Sequence, residues 1–237
     1  MVGLGLVLGG PLPGPATIIL AMVAGAFSAA GILGLYTGLA VGRMGVVAPV
    51  TGLIAASLPV AVGIVAEGWP ATPVLVGILA ALVAVVLVSR SADPDGRRSG
   101  IEYGIVGGLG LGMFNVVVGA FPEHQVIWPL AMIKLGALVP IVVLVTLGRR
   151  PWRVTSSILP AVVAVAVLDL AGNGLYILAT QAGRLDVAAT LSSLYPVTTV
   201  VLAVALLHER VTRTHLAGII MAGVAIVLIA GGSAAPA

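Results

Sequence analysis

The chain has 237 residues, of which 60% are hydrophobic and only 8% charged, and its mean hydropathy is +1.22. With 11 Lys and Arg and 8 Asp and Glu it cannot clothe a water-facing surface of this size, which excludes soluble enzymes, nucleic-acid binders and coiled coils. An all-α polytopic membrane protein remains, with room for roughly eight or nine spans of about 20 residues and no extramembrane domain. The pI near 9.8 reflects a net charge of only +3, without a basic tract for DNA or RNA. The absence of cysteine removes disulfides, thiol catalysis and cysteine-ligated metals, and His124, His208 and His215 lack metal-ligand spacing, so no metal or cofactor is expected.

In chain order, Met1 to Gly10 is apolar but too short to span, and no Lys or Arg precedes it as a signal peptide requires. The hydrophobic runs then predict eight spans, near 17–41, 44–66, 71–89, 99–121, 125–147, 154–181, 186–206 and 213–232. The longest hydrophilic stretch, Ser89 to Gly100, combines Asp-Pro, Asp-Gly and Ser-Gly turn signals and marks the boundary between two halves. Residues 1–92 form a first repeat, 93–98 a cytoplasmic linker and 99–237 a second repeat.

The halves are related. Residues 42–88 laid on 183–229 at an offset of 141 give 14 identities in 47 positions, including Gly42/Gly183, Arg43/Arg184, Gly77/Gly218 and the run from Val83 to Leu87 against Val224 to Leu228. Biased composition alone would give roughly a third of that. A one-residue slip brings Glu67 against Glu209. Five crossings separate the start of span 17–41 from the start of its mate 154–181, so the copies face opposite ways, as in secondary transporters. The second copy has two spans ahead of its matched three, whereas only Met1 to Gly14 precedes the first. The expectation is a five-plus-five protein short of its first span and most of its second. Arg43, Arg90, Arg97, Arg98, Arg149, Arg150, Arg153, Arg210 and Arg213 fall on one side and Arg184 alone on the other, which puts the first group in the cytoplasm and the C-terminus outside.

Two charges fall deep in predicted spans, Lys134 and Asp169. At the bilayer centre each costs about 2.5 to 3.5 kcal/mol and needs a partner or a water-filled cavity. Two readings follow: a cavity site, in which Lys134 holds an anionic group and Asp169 a cation or proton, or a buried pair that fixes two helices. Asp169, Asn173 and Tyr176 stand at i, i+4 and i+7 and share one helix face. Asn115, Ser193 and Tyr195 add donors and acceptors to this substrate-binding set, with interhelical hydrogen bonding as their alternative role. Gly34, Gly38 and Gly42, and again Gly104, Gly108 and Gly112, recur at every fourth position and suit close helix packing. Pro49, Pro59 and Pro196 break intrahelical hydrogen bonding inside spans. Glu67, Glu209, Arg43 and Arg184 read as helix-end and interfacial charges. There is no catalytic motif of an intramembrane hydrolase and no phosphate-binding loop, so no enzyme is expected.

Leu191 to Gly231, with its Ser-Leu-Tyr-Pro-x-x-Thr stretch at 193–199, the Glu209 that closes that span and a Gly-rich last helix, resembles the second repeat of EamA-type proteins of the drug/metabolite transporter superfamily. Leu35 to Leu53 looks like the matching part of the first repeat. The resemblance implies two inverted five-helix repeats around a central cavity that exports or exchanges small metabolites, amino acids or drugs. This chain departs from it at the N-terminus, where small multidrug members carry a coupling glutamate, and in the predicted side of its C-terminus. The expected partners are the lipid bilayer and a small-molecule substrate, with a homodimer as an open alternative to a monomer and no nucleic acid. The rival expectation is a non-transporting remnant or helix-packing membrane protein.

Overall fold

The structure is a computed structural model that describes residues 12–42, 44–89, 100–122, 126–148, 156–192, 194 and 213–233. These residues form helices and turns, without strands among them. Eight α-helices follow in order: α1 (Pro15–Val41), α2 (Met44–Glu67), α3 (Thr72–Ser89), α4 (Ile101–Gly119), α5 (Ile127–Leu147), α6 (Leu159–Ala182), α7 (Leu185–Ser192) and α8 (Arg213–Ser233). A 3₁₀ turn at Ser156–Ile158 leads into α6, where Pro160 sits in the first turn and so removes only an N–H that has no helical acceptor. Helix is the answer that hydrocarbon imposes, because each backbone N–H and C=O finds its partner within the same segment. Five stretches are long and apolar enough to cross a membrane: Pro15–Val41, Val46–Glu67, Ile101–Gly119, Ile127–Leu147 and Ser156–Ala182. Helices α3 and α8 carry the shorter apolar stretches Thr72–Leu87 and Leu216–Ile229. Of the span expected at 186–206, α7 covers the start, and residues 195–206 lie outside the described set.

The chain divides into two compact units, residues 1–29 with 117–183, and residues 30–116 with 184–237. In the second unit α4 lies along α2. A Cβ on Gly104 would meet Val47 O at 3.2 Å, one on Gly108 would come within 2.6 Å of Ile54 Cβ, and one on Gly112 within 3.1 Å of Leu58 Cβ. The C-terminal half of α1 approaches as closely: a Cβ on Gly34 would stand 2.8 Å from Gly107 N, and one on Gly38 2.6 Å from Val47 Cγ1. Thr51, fully buried between them, donates its hydroxyl to Gly104 O at 3.1 Å. Gly42 donates its N–H to Gly38 O as α1 ends. Gly100, which starts α4, adopts a φ of +68° with Gly42 Cα 2.9 Å from where its Cβ would be, so both its backbone and its space require glycine.

Two helices matched by the sequence offset lie in the same unit. Helices α3 and α8 are mates at the 141-residue offset, and they pack on each other. Their buried cluster contains Ala81, Ala84, Ala222 and Ala225 together with Val85 and Leu194. Ala81/Ala222 and Ala84/Ala225 are offset mates, so the cluster draws the same two repeat positions from each helix. A second cluster joins Val60, Val74, Ile78 and Ile229.

The first unit has α5 at its centre. Gly25 of α1 and Gly136 of α5 let the two backbones touch: a Cβ on Gly25 would strike Ile133 O, and one on Gly136 would strike Met22 O. Trp128, Leu130, Ala131 and Ile133 are buried on α5, as are Phe121 and, from α6, Tyr176 and Ile177. The N-terminal half of α6 is exposed and apolar at Val162, Val163, Val165, Val167 and Leu168, as a lipid-facing surface has to be. Gly136→Val should destabilise the protein by about 3 kcal/mol or prevent its folding, because backbone cannot move aside as a side chain can. Gly223→Ala, with nothing within 4 Å of the new methyl, should leave stability unchanged or higher. Melting temperatures in detergent compare the two.

Candidate functional site

Lys134 and Asp169 belong to the same unit, one on α5 and one on α6. Lys134 Nζ donates to Asp169 Oδ2 at 2.5 Å. Asn173, one turn on, donates its Nδ2 to Asp169 Oδ1 at 3.0 Å. The carboxylate therefore has a partner at each oxygen, one charged and one neutral. The side chains nevertheless remain 30% and 47% exposed, far more than a core ion pair. Exposure of two opposite charges within membrane-spanning helices requires water or polar protein beside them, since lipid solvates neither. An exposed pair can exchange one partner for a solute. Tyr176, at the C-terminal end of the same face, is buried.

Of the remaining residues expected at this site, Asn115 falls in the other compact unit, and Ser193 and Tyr195 lie outside the described residues. Pro59 is fully buried within α2. Arg43, Pro196 and Glu209 are outside the described residues.

A second ionic cluster joins α2 to α7. Arg184 donates through NH2 to Gly68 O at 2.6 Å and through NH1 to Glu67 O at 3.3 Å, so a cation sits on the last carbonyls of α2, at the negative end of that helix. Glu67 in return accepts the N–H of Leu185 at 3.0 Å, placing an anion at the positive end of α7. Asp186, wholly buried, accepts from Arg184 Nε at 3.1 Å and NH2 at 3.0 Å and from Val187 N at 2.8 Å. Its hydrogen bond to the guanidinium raises the Arg184 pKa above the usual arginine value. Gly63 makes the room, since a Cβ there would stand 2.9 Å from Asp186 N. Asp186 was not singled out from the sequence, and Arg184 and Glu67 were read as separate interfacial charges. The signal was present: Arg184 is the one cation the loop count assigns to its side of the membrane, and Glu67 and Asp186 end and begin spans on that same side.

The described residues thus make an all-helical, multi-pass membrane protein with an accessible intramembrane ion pair. Residues 98–231 match the EamA-like transporter family, and the chain belongs to that family. Its members are membrane transporters. Six solved chains also match. One of them, a crystal structure, superposes with a TM-score of 0.72 over 98% of this chain and 81% of the other at 19% identity, which speaks for the fold alone. No curated protein matches the chain.

Arg184→Ala strands the wholly buried Asp186 carboxylate and should cost about 3 kcal/mol or more. Arg184→Lys keeps the charge but loses the fork that reaches carbonyl and carboxylate together, and should recover only part of that stability. Denaturation of the two variants in detergent, against the parent, checks both.

Proposed function

We propose that the protein is a secondary transporter or facilitator of a small organic solute bearing a charged or strongly polar group, and that it works by alternating access. The Lys134–Asp169 pair carries this reading: two opposite charges stand together within membrane-spanning helices, where each is costly and marks a solute or ion path. Lys134 would take an anionic group of the solute, Asp169 a cationic group or a proton, and Asn173 would hold the Asp169 carboxylate in place. Inverted repeats support alternating access, because two copies facing opposite ways can exchange conformations. Asn115, Tyr176, Ser193 and Tyr195 are proposed as further polar contacts from the sequence pattern. The loop charges support insertion in the cell membrane with the C-terminus outside, and export is the direction we propose.

Uptake into vesicles containing the purified protein, screened over amino acids, organic acids and amines, should identify a transported solute. Lys134→Ala and Asp169→Asn should each abolish its transport while the protein still inserts and folds. The exchanged pair, Lys134→Asp with Asp169→Lys, separates the two roles: it restores the ion pair, and it should not restore transport. Transport by the exchanged pair at the parent rate would make the pair a fixture of the helices. With the charges in their native places, collapsing a pH gradient across the vesicle should slow accumulation only if Asp169 carries a proton.

A further inference from the structure

Each residue from Ser156 to Asp169 is exposed, so the first half of α6 is uncovered on every side. Its apolar residues suit lipid, but the exposed Asp169 and the Lys134 that reaches it do not. Water beside these charges needs walls to hold it against hydrocarbon, and a helix exposed all round has none on its outer sides. The repeat shows what such a helix is built to receive. At an offset of 140, Gly34, Leu35 and Tyr36 of α1 fall on Gly174, Leu175 and Tyr176 of α6, and Ala21, Val23, Ala24 and Ala26 fall on Ala161, Val163, Ala164 and Ala166. Helices cover α1 along that length: α5 lies against Gly25, and α4 lies against Gly31 and Gly34, where a Cβ would stand 2.6 Å from Leu111 N and 2.8 Å from Gly107 N. The matching positions on α6 are Val165, Ala171 and Gly174. Val165 and Ala171 are exposed, and at Gly174 a Cβ would meet only Leu130 Cδ2, at 3.8 Å. Spans matching α4 and α5 would fall almost wholly before Met1 at that offset. Helix α6 therefore offers a helix seat that the described residues leave empty.

We propose that a second copy of this chain takes that seat, α6 against α6, about a two-fold axis along the membrane normal. Charge decides for a second copy. The loop charges orient all copies alike, so such an axis sets the two Lys134–Asp169 pairs at one depth and turns each cation toward the other copy's carboxylate. An ion pair is its own complement under that operation. Among the described residues Lys134 uses one of its three N–H bonds, on Asp169, and has donors left for a second carboxylate. One contact then gives both exposed pairs polar protein in place of lipid, and packs both apolar faces of α6 on each other. The interface does not require the pair to carry solute. Where the pair does carry it, the solute site lies in the seam between the copies.

Photobleaching of a full-length fluorescent fusion in dilute lipid vesicles should show two chains per complex. The chain has no cysteine, so single cysteines can be placed without background. A disulfide forms only where the two Cα atoms come within about 7 Å, which selects residues beside the axis. Copper phenanthroline should therefore join at least one of Val165→Cys, Leu168→Cys and Leu175→Cys into a dimer, and should leave Val227→Cys on α8, which is as exposed as Leu168, unjoined. Single chains, dimers that no α6 cysteine traps, or α6 cross-links to a different polypeptide would each overturn the second copy as occupant. Asp169→Asn should weaken dimerisation about tenfold. The exchange of Lys134→Asp with Asp169→Lys should restore it, because the exchanged pair is again its own complement. Unchanged dimerisation in Asp169→Asn, or none in the exchanged protein, would overturn the pairing of charges across the seam. A parent that stays single and still transports overturns the interface and leaves the solute reading in place.

Discussion

A charge in hydrocarbon has to find its compensation inside the protein, and the placement of the few charged residues in the described helices follows from that constraint. Two clusters satisfy it in opposite ways. Around Arg184 the bonding is dense: two helix-end carbonyls, two carboxylates and two backbone N–H groups meet there, and Asp186 has no contact with solvent, although Arg184 and Glu67 each keep a third of their surface exposed. Around Asp169 it is open. Among the described residues Lys134 has one acceptor for its three N–H bonds, and both charged side chains keep a large share of their surface exposed. The Arg184 cluster resists exchange, because removing the guanidinium strands the buried Asp186 charge. An open one tolerates exchange, because a solute group can replace one partner as it leaves. The contrast between fixture and site is thus one of burial and not of charge.

The helices around these clusters lack the driving force that folds soluble bundles, since lipid tails are as apolar as leucine. What remains is close contact, and glycine supplies it. Gly25 against α5 and Gly136 against α1 bring two backbones together within one unit, and Gly34, Gly104, Gly108 and Gly112 do the same among α1, α2 and α4 in the other. Alanine serves where equivalent helices meet, at Ala81, Ala84, Ala222 and Ala225. Both helices carry alanine at the same two repeat positions, and small residues let them approach closely.

The helices were legible in the sequence because hydrocarbon permits one solution, and apolar runs therefore mark helices with little ambiguity. Boundaries differ from the expected ones by a few residues where the flanks are weakly polar, as at Ser156–Ile158, where a 3₁₀ turn precedes α6. The repeat was legible because its mates still carry the same residues. Lys134 and Asp169 were legible as costly charges, and the structure places them in contact. The Arg184 cluster was missed because Glu67 lies more than a hundred residues from Arg184 and Asp186 and each makes sense singly as a helix-end charge. Seeing it requires combining loop sidedness with charge balance: two carboxylates and one guanidinium on the same side cannot be treated one at a time. Asn115 was read from polarity alone, and polarity does not say which of two compact units a residue falls in.

Spacing treats all glycines alike, and this is where sequence reasoning stops. Gly104, Gly108 and Gly112 recur every fourth residue and pack against α2, as such spacing suggests. Gly172 belongs to no such series, and its neighbour Gly174, with Leu130 Cδ2 3.8 Å from its Cβ position, is no more crowded than an ordinary alanine. A helix that accepts glycine without a close neighbour forgoes intrinsic stability at that point. On an apolar face the consequence ends there. Gly172 is open among the described residues, with exposed Leu168 and Leu175 on the helix turns before and after it, and its openness is that of helix surface.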